Sequence, residues 1–225
     1  FGAEEIQWNG EILVPYKCSK LRRDIWHGLS PDMGKRSEAP TGCRLDFVTD
    51  GAEVTFTLEG KPFDCLVDGL LTDRFEGSDT PEAFSVTLDG TPRRVTLIFP
   101  SHDGSFPRLH SVEIPDGATV TPHEYSEKFL FLGDSITQGW NSGVDSLSYA
   151  WRTSLFFNAD CRIYGVGGGY FYAPVFEKPR DFDPDRVFVA FGTNDFNHFS
   201  SLEELQKNKQ GQSVGILVSS NRLTL

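Results

Sequence analysis

The chain has 225 residues, a formal net charge of -11 at pH 7 and an isoelectric point near 4.9. Its 38% hydrophobic and 13% aromatic content is that of a globular protein able to bury one large core or two modest ones, which excludes disorder. The acidic balance repels phosphate backbones and anionic headgroups, so nucleic acid and membrane surfaces are excluded as expected partners, and no apolar run approaches the ~18 residues of a membrane span.

The first residues, Phe1-Gly2-Ala3-Glu4-Glu5, lack the basic start and apolar centre of a secretory signal, and the compartment stays unassigned. From there to residue 122, short segments alternate between apolar and polar residues: "RLDFVTD", "EVTFTLEG", "FSVTLDG", "RRVTLIFP" and "HSVEIP". Period-two alternation marks strands with one buried face. Between them stand Asp50-Gly51, Glu59-Gly60, Asp68-Gly69, Asp89-Gly90, Asp103-Gly104 and Asp116-Gly117, and the Asp-Gly pairs supply the positive backbone angles of tight turns. Residues 1–122 therefore predict an antiparallel β-sandwich with little helical period, and the polar "TPHEYSEK" predicts a joint over 123–127.

After residue 127 the strands become continuous apolar runs, "KFLFLG" and "RVFVAFG", with helical candidates around "LSYAWRTSLFF" and "SLEELQKN". Runs without alternation are expected where helices cover both faces of a parallel sheet, so 128–225 predicts an α/β layer domain. Those residues suffice for about three units of ~30 residues, whereas a doubly wound sheet needs about five strands. The domain is expected to be incomplete, with an unpaired sheet edge prone to self-association.

"KFLFLGDSITQGW" places Ser135 at the carboxyl end of the first of these strands, where ligands bind in such sheets. A hydroxyl there lies near free N–H groups and the positive end of a helix dipole, suited to nucleophilic attack beside an oxyanion. Ser135 or Asp134 capping the helix is the competing reading from this segment alone. A second strand ends in Gly192-Thr193-Asn194-Asp195, and "CRIYGVGGGYF" runs into Gly165, Gly167, Gly168 and Gly169. The glycines let backbone approach a ligand closely. A dinucleotide fingerprint fails in register because Tyr170 stands where the last glycine belongs.

Taken together and in this order, "GDSITQG", "GVGGG" and "GTND" resemble the SGNH (GDSL-type) hydrolase family. Upstream, "TGCRLDFVTDGAEVTF", "LVDG" and "VTLIFP" resemble the jelly-roll-like sandwich that precedes the hydrolase domain in some carbohydrate acetyl esterases. The resemblance implies a flavodoxin-like three-layer α/β/α domain in which Ser135 is the nucleophile. It implies an oxyanion hole made of the Ser135 N–H, the Gly168 N–H and the Asn194 side-chain amide. The substrate it implies is a small acyl ester, especially acetyl, carried by a small molecule or carbohydrate, with no cofactor and no metal. A reading of a different class is a carbohydrate-binding or interaction sandwich attached to an inactive hydrolase remnant.

One departure from the family pattern stands out. The family's base is the histidine of a D-x-x-H motif well after the third block, and no such motif follows Asp195 except Asp195-Phe196-Asn197-His198, which overlaps "GTND". His198 is a weak candidate for the base, and His27, His102, His110 and His123 lie in or beside the sandwich. Trp140, Tyr170 and Phe171 are open between a sugar-stacking wall and core packing. Cys18, Cys43, Cys65 and Cys161 form no Cys-x-x-Cys pair, so free buried thiols are expected, a disulfide among the first three staying open.

Overall fold

The computed structural model describes residues 1–101, 107–176, 179, 181–204 and 206–207. The alternating segments fold as predicted. β1 (Glu5–Trp8), β2 (Leu13–Tyr16), β4 (Glu53–Gly60), β7 (Ser78–Thr87) and β9 (Arg108–Glu113) form one antiparallel sheet in the order β1-β2-β9-β4-β7. β3 (Arg44–Thr49), β5 (Phe63–Val67), β6 (Leu70–Phe75), β8 (Arg93–Ile98) and β10 (Val120–Pro122) form the other, in the order β10-β3-β8-β5-β6. Between the sheets Val54, Phe56 and Leu58 of β4 meet Phe63, Cys65, Val95 and Leu97, all fully buried. Asp68 and Gly69 link β5 to β6 with φ of 51° and 79°, the left-handed pair that a two-residue hairpin of this hand requires.

β8 shows why "RRVTLIFP" alternates less cleanly than its neighbours. Val95 and Leu97 face the sandwich core, while Ile98 and Leu66 of β5 pack on the other side against Phe129, Phe131, Trp151 and Ile163. β5 and β8, in the second sheet, are thus buried on both faces. Those partners belong to a parallel sheet, β12 (Ala159–Gly165), β11 (Glu127–Gly133) and β13 (Arg186–Ala190), ordered β12-β11-β13. Its strands read as continuous apolar runs because alternate residues of β11 enter different cores. Phe129 and Phe131 meet helix α4 (Tyr149–Phe156) and the sandwich, whereas Leu130 and Leu132 meet Cys18, Tyr164 and Phe182. Among the described residues the α/β part shows these three strands.

Two helices were not expected within 1–122: α1 (Lys20–Leu29) and α2 (Pro31–Glu38). Their signals are present, since Ser19 caps α1 by accepting from the Arg22 N–H and Pro31 opens α2. The apolar period is masked because the inner face of α1 carries Arg22 and Arg23 beside Trp26. Arg22 is buried because it pairs with Glu4 and donates to the Val175 carbonyl at 3.0 Å, and Arg23 pairs with Glu5 at 3.1 Å. The expected helix "SLEELQKN" is seen over 202–204 and 206–207; the remainder of that reading lies outside the described residues.

All four cysteines are free and buried. Burial pushes the Cys43 and Cys65 thiols up to about 12, which removes the reactive thiolate. A thiol reagent should therefore titrate them only as the chain unfolds; reaction in buffer at native-like circular dichroism would contradict this burial.

The turns after β11 and β12 depend on missing side chains. A Cβ on Gly165 would fall 2.2 Å from the Gln138 nitrogen and 2.6 Å from its Cα, and one on Gly133 2.7 Å from the Ala190 carbonyl oxygen. Backbone on both sides cannot step aside locally. Gly165→Ala is expected to destabilise the fold by ~1–3 kcal/mol or more; an unchanged urea midpoint would refute the contact.

Candidate active site

The parallel register fixes where the three motifs stand. Gly133 of β11 lies opposite Gly165 of β12 and opposite Ala190 of β13, so three strands end side by side. Ser135 follows Gly133 by two residues, Gly168 follows Gly165 by three and Asn194 follows Ala190 by four. All three motifs thus leave the sheet at one edge, the carboxyl end.

Ser135 opens the one-turn helix α3 (Ser135–Gln138) and is half-buried. The cap is Asp134, not Ser135: its carboxylate accepts from the Ile136 N–H at 2.9 Å. Among the described residues, the Ser135 hydroxyl and its N–H have no protein hydrogen-bond partner. Thr137 bonds the Tyr149 hydroxyl at 2.9 Å, and Gly139 closes the turn with φ 94°.

The glycine turn is held residue by residue. The Val166 N–H donates to the Gly133 carbonyl at 3.0 Å, and the Gly169 N–H to the Val166 carbonyl at 2.8 Å. The Gly167 N–H donates to Gln138 Oε1 at 2.7 Å, and Arg36 Nη1 donates to the Gly167 carbonyl at 3.1 Å. Gly168 has φ 79°, a conformation that costs other residues strain, and its N–H has no protein partner among the described residues. Asn194 Nδ2 donates one bond, to the Gly169 carbonyl at 2.9 Å, which ties "GTND" to the glycine turn.

Asp195 is 1% exposed, and its Oδ1 accepts from the Phe171 N–H at 3.0 Å. Asp134 is also buried, and burial, reinforced by the nearby Asp195 charge, pushes its carboxyl above the usual range. Both acidic residues thus hold backbone N–H groups of the turns they stand in or beside.

The aromatic residues separate. Trp140 is 42% exposed with the Arg36 guanidinium 5.6 Å from its ring. Tyr170 is buried and stacks on His198 at 3.6 Å between ring centroids, while Phe171 packs on Phe191 at 5.1 Å. Of the three, Trp140 is the exposed one; Tyr170 and Phe171 pack against other rings.

Each described histidine is engaged with a residue other than Ser135. His27 bonds Glu38 at 2.9 Å, His110 bonds Glu59 at 3.0 Å, His123 bonds Asn158 at 2.7 Å and His198 stacks on Tyr170. His102 lies outside the described residues. Two concavities, of about 270 and 460 Å³, lie elsewhere, around His123 and Lys128 and over Phe47, Val112 and Ile114. No described helix is long and apolar enough to cross a membrane, and among the described residues no cluster of His, Cys, Asp and Glu is placed to hold a metal.

Arg36 and Gln138 were not singled out from the sequence. Gln138 carried a signal, as a polar residue inside "GDSITQG"; Arg36 carried none, because nothing in "PDMGKRSEAP" tells which face of α2 meets a glycine turn far along the chain.

No protein-family profile matches the sequence, and no curated protein matches it. Solved structures do. The salicylyl-acyltransferase SsfX3 from a tetracycline biosynthetic pathway superposes with a TM-score of 0.82 at 21% identity, over 97% of this chain and 68% of that one. A putative GDSL-like lipase from Bacteroides ovatus gives 0.67 at 14% identity, over 97% and 67%. The acetyl xylan esterase Est2A from Butyrivibrio proteoclasticus gives 0.56 at 18% identity, over 77% and 67%. The chain has the sandwich-plus-parallel-sheet fold of SGNH-type esterases and acyltransferases.

Proposed function

We propose that this chain is the scaffold of a serine ester hydrolase acting on small acyl esters, acetyl on a carbohydrate foremost. The division that goes with it is a sandwich over 1–122, a joint over 123–127 and a hydrolase part over 128–225. The observation that carries the reading is the sheet edge at which Ser135, Gly168 and Asn194 leave three strands in register, the first two with N–H groups that no other described residue takes. Ser135 Oγ attacks the ester carbonyl and forms a C–O bond. The resulting oxyanion is held by the Ser135 and Gly168 N–H groups and by the second N–H of Asn194 Nδ2. The ester C–O bond then breaks and the alcohol leaves with the proton that Ser135 gave up; water attacks the acyl-enzyme, the acid departs and a proton from that water restores the serine hydroxyl. A sugar hydroxyl in place of water would give acyl transfer by the same steps, a variant favoured by the superposition on an acyltransferase. Trp140 is the residue exposed for stacking on a sugar.

The test is covalent. The folded chain is treated with a fluorophosphonate and with an aryl acetate, and its peptides are mapped. Phosphonyl or acetyl on the peptide carrying Ser135 is the expected result. No adduct on a chain with a cooperative melt would overturn the reading, and saturable sugar binding that survives Ser135→Ala would then favour the non-catalytic sandwich.

A further inference from the structure

The two peptides that flank the Gly167 Cα are gripped from two distant parts of the chain. Arg36, on helix α2, donates from Nη1 to the Gly167 carbonyl at 3.1 Å, and the same nitrogen lies 3.3 Å from where a Cβ on Gly168 would stand. Gln138 is 1% exposed and accepts from the Gly167 N–H at 2.7 Å, while its Nε2 donates to the Ser101 carbonyl at 2.7 Å. The Gln138 carboxamide is therefore saturated at both ends between the sandwich and the glycine turn.

Geometry turns this grip into a direction. In a planar trans peptide the carbonyl of Gly167 and the N–H of Gly168 point opposite ways. Whatever fixes that carbonyl aims that N–H, and a glycine pair without such a fixture is free to rotate it away. A guanidinium on the carbonyl also polarises the peptide and makes its N–H a stronger donor. We propose that Arg36 and Gln138 are positioning residues that clamp Gly167 on both sides, Arg36 at the carbonyl of the Gly167–Gly168 peptide and Gln138 at the N–H of the Val166–Gly167 peptide, and so present the Gly168 N–H to the oxyanion. This rests on the ester-hydrolase reading above. The clamp makes the sandwich side of the molecule part of the site, since Arg36 and Ser101 both belong to the first 122 residues.

The experiment uses the full chain with Arg36→Met, Arg36→Lys, Gln138→Leu and Gln138→Glu, read by aryl acetate kinetics and by the amide signals of Gly167 and Gly168 in the ¹⁵N-labelled protein. Loss of a whole oxyanion donor costs about 10²–10³ in kcat, so misaiming one is expected to cost roughly 10- to 100-fold in kcat with KM nearly constant. Arg36→Lys, which keeps a cationic donor, is expected to recover part of the loss. Gln138→Glu can donate to Ser101 only when protonated, so its kcat relative to the parent is expected to rise as pH falls. The Gly167 amide should lose its exchange protection in Gln138→Leu, and the Gly168 amide should shift in Arg36→Met. A parent chain without turnover or labelling would sink the ester-hydrolase reading alone, and the two amide signals would still decide the clamp. Indifference of both amides, or a loss that falls on KM with kcat unchanged, would overturn the proposal.

Discussion

Ser135→Ala is expected to abolish fluorophosphonate labelling and whatever aryl acetate turnover the chain has, while His198→Ala is expected to leave turnover within about twofold. The serine hydroxyl is a weak nucleophile at neutral pH without a neighbouring base. The Ser135 hydroxyl has no partner among the described residues, and the described histidines are bound to Glu38, Glu59 and Asn158 or stacked on Tyr170. Losing a member of a nucleophile–base pair costs on the order of a millionfold, with ~10³ to 10⁴ over water left from the oxyanion hole and binding. Turnover is therefore expected near that residual, visible with an activated ester rather than an alkyl one. Turnover that collapses in His198→Ala would make His198 the base and require its ring to leave Tyr170. Robust turnover that survives His198→Ala but not Ser135→Ala would mean that another base reaches the serine.

The largest expected loss of stability is at Arg44. Its side chain is 1% exposed, on β3 of the sandwich, yet it donates to Asp160 at 2.7 Å and to the Cys161 carbonyl at 3.3 Å on β12. It also donates to the Tyr125 hydroxyl at 2.7 Å and lies 5.3 Å from the Trp151 ring. Arg44→Met removes the cation and leaves Asp160 and two buried acceptors without it. Removing one partner of a buried ion pair costs about 3–5 kcal/mol. A urea midpoint shift smaller than the shift for an exposed pair such as Lys20–Asp24 would refute the role.

The same cluster gives a pH dependence. Burial opposes the ionisation of Asp46, but hydrogen bonds from Arg94 at 2.9 and 2.7 Å and from Tyr125, with the Arg94 and Arg44 charges, overcome it and hold its carboxyl below the usual range. A carboxyl depressed in the folded state contributes stability above its unfolded value of ~3.9 and loses it as pH falls through the folded one. Arg44→Met should therefore flatten the acid limb of the stability curve.

Much of this molecule was legible in the sequence because its signals are local. Alternation in "EVTFTLEG" needs only neighbouring residues to state that Val54, Phe56 and Leu58 share a face, and Asp68-Gly69 encodes a left-handed turn by itself. The continuous run around Leu130 announces a strand covered on both faces, and small residues at the ends of the runs predict a ligand edge. What covers those faces was a matter of tertiary structure alone. α1 went unread because its buried face carries Arg22 and Arg23, which are tolerated inside only through Glu4 and Glu5. The grip of Arg36 on Gly167 spans 131 residues, and no local period can record a pairing decided by how α2 docks on the glycine turn. The same holds for the histidines: "DFNH" has the spacing of a base motif, but spacing does not say where a ring points, and packing turned His198 onto Tyr170. The strands, their buried faces and the tight turns were thus determined by the sequence itself, whereas strand order, the long-range pairing of buried charges and the aim of side chains were decided only when the sheets packed.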